Sequence, residues 1–529
     1  MKIIYLLVFL SSAINPTFSA NILCILPLPL YSHTSNYLPI FKELAARGHN
    51  VTVVSPFPQK TPVPNLTDIV VPDVTDKMIG PPDKRLNFVE LDGIIFDLVG
   101  LWIFASGTPQ LISELEPIQN LMKDQHSKYD LVIVETWFVQ EVLVAFGHKF
   151  NAPVINVAAT SINPLAAYLT GNLLPASYVP VPKLPYSDHM SFTQRLWNAF
   201  CTFWDIPMGT LHLMYQDYLM RKYIKYPGSE NLPPLIDMLR NTSLTLMDSN
   251  FAVNYPTPYH KNIVEFGGIK LKKAPKLPAD IQKIMDNEKE GVIYFTFGSH
   301  LNVSNIDPEK QKVLINVFGK LKHKVFMKLE STNPFLDLAK SKKNLLIQTW
   351  FPQPSILAHP NCKLFITHGG LHGVMEGVYH AVPMLAIPLI ADQKFNAKFI
   401  ENSGIGEVIQ LKDLNEANLL NSIDRILKNP SYRERVKERS VIFKDTPISI
   451  MDNAIYWIEY VIRHKGAPHL RPAVVDLYWY QSLMIDVILF YAIILITILY
   501  VMKLIIIIPC KLLKYLFKRK DKNQKKKKE

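Results

Sequence analysis

The chain has 529 residues, 48% of them hydrophobic and 19% charged, with a net charge of +12; this length exceeds one ordinary domain and calls for two or more. Residues 511–529 hold ten Lys or Arg and two acids, so +8 of the +12 belongs to the tail and only +4 to everything before it. No basic face interleaved with aromatics occurs upstream, which excludes nucleic acid as a partner.

In chain order, MKIIYLLVFLSSAINPTFSAN carries one Lys, an apolar stretch and then small residues. That pattern predicts a secretory signal peptide over residues 1–19, cleaved after Ser19. Residues 22–30 form an apolar run. Residues 36–47 set Leu38, Phe41, Leu44 and Ala45 on one helical face, and Gly48 stops that helix. Val51-Thr52-Val53-Val54 is the next strand, completing a βαβ unit. Residues 129–134 read as another buried strand. Residues 164–240 are apolar, aromatic and proline-rich, and read as an insertion that either shapes a pocket or touches a membrane. The proline-rich stretch 256–280 reads as a linker.

The second half restarts the alternation. Residues 291–297, 325–328, 345–348, 362–367 and 383–388 are strand-like, and 310–322 is helical. An α/β fold follows, with two doubly wound parallel sheets facing a cleft. The expected domains are 20–255 and 281–475. Residues 487–510 are apolar with Lys503 as the lone charge. They predict a membrane span within 485–510, preceded by the interfacial aromatics Tyr478, Trp479 and Tyr480. The basic tail, 511–529, is then cytosolic by the positive-inside rule, and the protein is type I with its bulk in the lumen. The terminal Lys526-Lys527-Lys528-Glu529 resembles a dilysine signal for return to the endoplasmic reticulum. Four cysteines, Cys24, Cys201, Cys362 and Cys510, are read as free thiols rather than a disulfide framework. Sequons stand at Asn50, Asn65, Asn241 and Asn302.

Residues 367–380, THGGLHGVMEGVYH, place glycines where a strand becomes a helix. Glycines let backbone N–H groups approach a ligand, and a helix N-terminus suits a diphosphate. His368 adds a donor, and Glu376 can return to accept from ribose hydroxyls. A dinucleotide fingerprint is the rival, but no G-x-G-x-x-G occurs; Gly404-Ile405-Gly406 lacks its third glycine.

The wider window WFPQPSILAHPNCKLFITHGGLHGVMEGVYHAVPMLAIPLIADQ, residues 350–393, resembles the 44-residue signature of UDP-glycosyltransferases. SHTSNYLPIFKELAARGHNVTVVSP, FTFGS at 295–299 and WIEYVIRHKGAPHLRP extend the resemblance to the membrane-bound animal UDP-glucuronosyl and UDP-glucosyltransferases. That family implies a GT-B fold with two Rossmann-like domains. It implies Trp350 as the stacking surface for uracil and Gln353 as a uridine contact. His368, with Gly370, His372, Gly373 and Ser299, would hold the diphosphate. Glu376 would bind the ribose, and Asp392 and Gln393 the donor sugar. His372 departs from the Asn or Gln of many members.

The same resemblance makes His33 the general base, oriented by an acid after a strand. That acid is Glu135 here, where the family usually has Asp. The implied reaction is an inverting transfer of glucose or glucuronic acid from the co-substrate UDP-glucose or UDP-glucuronic acid to a hydroxyl of a small lipophilic acceptor. No cofactor or metal is implied, and the chain contains no Asp-x-Asp. Membrane lipid would surround the span, and a homo-oligomer is left open. A non-catalytic sugar-nucleotide-binding membrane protein with a decayed site is the alternative.

Overall fold

Short runs of β-branched and aliphatic residues become parallel strands when side chains on both faces find cover. In β1 (Asn21–Ile25), Leu23 and Ile25 enter one buried cluster while Ile22 and Cys24 enter another. The same division holds in β8 (Val292–Thr296), where Ile293 and Phe295 face one cluster and Val292 and Tyr294 the other. The computed structural model describes residues 19–81, 84–137, 139–271, 274–299 and 301–525. The expected signal peptide up to residue 18 and the terminal 526–529 lie outside these.

Two sheets form. The first contains β1, β2 (Asn50–Ser55), β3 (Leu66–Val70), β4 (Leu131–Val134), β5 (Val154–Ala158), β6 (Leu244–Met247) and β7 (Ile263–Glu265) in the order β3-β2-β1-β4-β5-β6-β7. The second contains β8, β9 (Lys324–Lys328), β10 (Leu345–Gln348), β11 (Cys362–Thr367), β12 (Met384–Ala386) and β13 (Gly406–Val408) in the order β10-β9-β8-β11-β12-β13. Every strand pairing in both sheets is parallel. The strand order reverses between β1 and β4 and again between β8 and β11. Ligands of open α/β sheets bind in the crevice at such a switch point.

Two sequence expectations need correction. The stretch 256–280 is not wholly a linker, because β7 pairs with β6 and its Ile263 and Val264 are buried. A three-residue strand among prolines leaves no periodic signal. The first helix, α1 (Tyr31–Ala46), begins ahead of the expected residue 36. Leu30 caps it without a side-chain bond and Pro39 lies inside it, so neither the start nor the interior carries the usual marks. Residues 164–240 are dominated by one 32-residue helix, α2 (Phe192–Tyr223), started by a Ser191–Gln194 capping box. One row of α2, including Asn198, Cys201, Asp205 and Leu213, is buried. The opposite row exposes Phe192, Leu196, Phe203, Leu211, Met214 and Tyr218.

The helix Ile450–Arg463 carries the chain back to the first sheet, where Ile455, Ile458 and Val461 join the cluster of Tyr37, Phe41 and Leu44. Cys24, Cys201 and Cys362 are buried free thiols, and Cys510 is an exposed one. A separate unit, Pro472–Glu529, contains the helix Ile485–Lys525. Its segment Ile485–Leu516 is long and apolar enough to cross a membrane. The helix covers the expected 485–510 and continues into the basic tail.

Candidate active site

Ile25 and Val134 pair at the ends of β1 and β4, so the loops after both strands leave the sheet side by side. His33, in the first turn of α1, and Glu135, directly after β4, meet there with His33 Nδ1 2.8 Å from Glu135 Oε1. Glu135 is 2% exposed and His33 15%. The extra methylene of Glu does not prevent the contact. The Tyr37 hydroxyl donates to Glu135 Oε1 at 2.7 Å and Gln140 Nε2 donates to Oε2 at 3.2 Å. A buried carboxylate needs this company. Burial pulls the His33 pKa down, but the Glu135 charge and hydrogen bond, helped by Asp392 and Asp248, carry it above its ordinary 6.5.

The second switch point mirrors the first. Thr296 of β8 pairs with Thr367 of β11, and the following loops carry Gly298-Ser299 and His368-Gly369-Gly370. Gly298 has φ +87° and Gly369 φ +82°, a region that favours glycine. A Cβ on Gly298 would stand 2.7 Å from His368 Cε1, and one on Gly370 2.5 Å from His368 Nε2. The imidazole is therefore flanked by two glycines, at each of which a Cβ would meet its ring. Gly370 caps the helix α3 (Leu371–Tyr379), which contains His372, Gly373 and Glu376. The first N–H groups of a helix have no partner within it, an arrangement that suits an anion. Ser299 is exposed on the facing loop.

Trp350 follows β10 by two residues and is 60% exposed. It is not a core residue. Lys328 Nζ stands 5.4 Å from its ring centroid. Gln353 Nε2 donates to Glu376 Oε2 at 2.7 Å, so the two expected nucleoside contacts already touch. Asp392 accepts from Asn396 at 2.9 Å. Gln393 is spent in part on its own loop, its Oε1 accepting from Leu389 N and Ile390 N at 2.9 and 3.0 Å; only its amide nitrogen can serve a ligand. Burial pushes both Glu376 and Asp392 above their ordinary carboxyl values, opposed by hydrogen bonds from Gln353 and Asn396 and by nearby cations.

His372 does something the sequence did not foretell. Its Nε2 lies 2.5 Å from Asp248 Oδ2, across the cleft in the first half. Asn36 of α1 donates to the same carboxylate oxygen and stands 2.8 Å from His372 Nε2. Lys270 Nζ donates to Ser35 Oγ at 2.8 Å and feels the charges of Glu376 and Asp248. Tyr37, Gln140, Asn36, Asp248 and Lys270 were all missed from sequence. Tyr37 could have been found, since it lies one helical turn beyond His33 on the same face.

A family model described as UDP-glucoronosyl and UDP-glucosyl transferase matches residues 110–527. UDP-glycosyltransferase UGT4 of Dactylopius coccus is 35% identical over 512 residues, covering 94% of this chain and 97% of that protein. UDP-glucuronosyltransferase 2B23 of Macaca fascicularis is 30% identical, with 87% of each chain covered. Among solved structures, the calicheamicin glycosyltransferase CalG4 superposes with a TM-score of 0.54 over 84% of this chain and 99% of its own, at 16% identity. That likeness concerns the fold.

Proposed function

Since the chain belongs to the UDP-glucoronosyl and UDP-glucosyl transferase family, and is a glycosyltransferase of GT-B fold, we propose that it transfers glucose or glucuronic acid, with inversion, from a UDP-sugar to a hydroxyl of a small lipophilic acceptor. The observation that carries this reading is the His33–Glu135 pair, which stands within electrostatic reach of Asp392 on the other side of the cleft. A base in one half thus faces the expected sugar loop of the other.

Glu135 accepts the Nδ1–H of His33, which leaves the basic lone pair on Nε2. Nε2 takes the acceptor's hydroxyl proton as the oxygen attacks the anomeric carbon of the α-linked sugar. A new C–O bond forms on the opposite face, and the bond to the diphosphate oxygen breaks with its electron pair. The charge gathering on UDP is met by His368 and the N–H groups at the start of α3, preorganised donors that need no reorganisation during the reaction. This cradle supports metal-independent transfer. Trp350 stacks on uracil, Gln353 and Glu376 hold the nucleoside, Ser299, Gly370 and Gly373 border the diphosphate, and Asp392 and Gln393 bind the sugar hydroxyls. The alternative of a decayed, non-catalytic site rested on the change from Asp to Glu, and the 2.8 Å contact takes that support away.

The experiment is a donor panel on purified membranes with a phenolic acceptor, read by mass spectrometry. Product from UDP-glucose or UDP-glucuronic acid supports the reading, and UDP binding without product from any donor would return the non-catalytic one.

The apolar helix segment Ile485–Leu516 and the basic tail support single-pass anchoring with the tail in the cytosol and the two sheets in the endoplasmic reticulum lumen. The exposed row of α2 supports the lipid-touching reading of residues 164–240. In sealed microsomes, protease added outside should remove the tail alone; digestion of the half that holds Trp350 without detergent would reverse the orientation.

A further inference from the structure

Asp248 directly follows β6 and is fully buried. A buried carboxylate is costly unless it is paired and hydrogen-bonded. Its Oδ2 is met from both halves of the molecule: by Asn36 from α1 of its own half, and by His372 from the start of α3 in the other. Asn36 is three residues beyond His33 on α1, and His372 is four residues beyond His368. The cluster therefore ties the helix turn that carries the base to the helix end that cradles the diphosphate.

We propose that Asp248, Asn36 and His372 form a clasp across the cleft that sets the register of His33 against the donor sugar, making Asp248 and His372 positioning residues for transfer. The proposal rests on the reading of His33 as the base. It differs from the role that resemblance gives His372, a direct diphosphate contact, because Nε2 is taken by Asp248 and only Nδ1 could face a phosphate. Other bonds also cross between the halves. Lys394 Nζ lies 2.7 Å from Asp92 Oδ2, and Asn87 Nδ2 donates to the Asn305 carbonyl at 3.0 Å. Loss of the clasp should thus loosen the register without separating the halves. A base held out of register costs most where proton removal matters most. Neutral alcohols should suffer, while acidic phenols, partly ionised already, should suffer less.

The test is a double-mutant cycle on the full-length protein in membranes, with Asp248→Asn, His372→Ala and the pair. Each single variant should slow transfer to a neutral alcohol about tenfold or more, and the double should be no slower than either single, as coupled residues require. UDP affinity should move by less than about threefold, and an acidic phenol should lose much less than the alcohol. Additive effects, equal losses on alcohol and phenol, or wild-type turnover in both singles would overturn the clasp. So would a UDP affinity that falls about tenfold in His372→Ala alone, which would make His372 a phosphate ligand. Should Asp248→Asn fail to fold, His372→Ala remains decisive, because its side chain is 30% exposed and its alcohol-to-phenol ratio and UDP affinity separate the two roles. Failure of the wild type to bind UDP or turn over would instead refute the proposed function.

Discussion

Trp350 stands mostly in solvent beside the glycine loops of the second half, at 60% exposure. Lys328 approaches its ring and also donates to the Gly298 carbonyl, so the side chain is oriented without being buried. Trp350→Ala should therefore fold normally and weaken UDP binding by roughly 1–3 kcal/mol, the scale of base–aromatic stacking. Calorimetry with UDP checks this; unchanged affinity in a folded variant would take Trp350 out of the nucleotide site. His33 yields a second prediction at the same scale. As the proposed general base His33 would work when neutral, so kcat/KM should rise as pH passes through its pKa. Glu135, Asp392 and Asp248 hold that pKa above 6.5 against the opposing pull of burial. Glu135→Gln removes the largest raising influence, so the acid limb of the kcat/KM profile should move to lower pH while the plateau rate falls. A limb that stays in place would belong to some other group.

At the scale of elements, the site is made where strands end and glycines allow close approach. Gly370 caps α3 with φ −62° and ψ 141°, values any residue can adopt. Only the His368 ring, 2.5 Å from where a Cβ would stand, forbids a side chain. Gly370→Ala should therefore leave the melting temperature nearly unchanged and weaken UDP binding about tenfold, ~1.4 kcal/mol, by displacing His368. Intact affinity would show that the imidazole does not contribute. Much of this architecture was legible beforehand. The run 362–367 coincides with β11, and 345–348 with β10, because buried parallel strands are short, apolar and bounded by turn residues. The glycines after β11 and the His-Glu spacing pointed to the proposed donor loop for the same local reason. The start of α1 was not legible, since Ser32, His33, Ser35 and Asn36 serve the cleft rather than an apolar stripe. Nor was the clasp: Asp248 and His372 are 124 residues apart, and nothing in either local pattern specifies the other.

Over the whole molecule, the two sheets and the long apolar helix occupy different parts of the chain. The unit Met1–Arg471 contains both sheets, and Pro472–Glu529 contains the long apolar helix. The exposed row Phe192, Leu196, Phe203, Leu211, Met214 and Tyr218 on α2 exceeds the scattered apolar exposure normal for a protein surface. A chain ending at Arg471 should therefore still sediment in part with phospholipid vesicles, and should stop doing so when Phe192, Leu196 and Phe203 are replaced by Ser. Full solubility of the truncated chain would leave the bilayer contact to the terminal helix. Within the catalytic unit the labour is divided by half. The first sheet's switch point holds His33 and Glu135, the proposed base and its acid, and the second holds the contacts expected for UDP. The most direct test of that division is His33→Ala in the full-length protein, with UDP affinity and turnover of a neutral alcohol measured on the same preparation. The predicted result is unchanged affinity with turnover reduced roughly 10²–10⁴-fold, the usual contribution of a positioned base; alcohol turnover at the wild-type rate would contradict it.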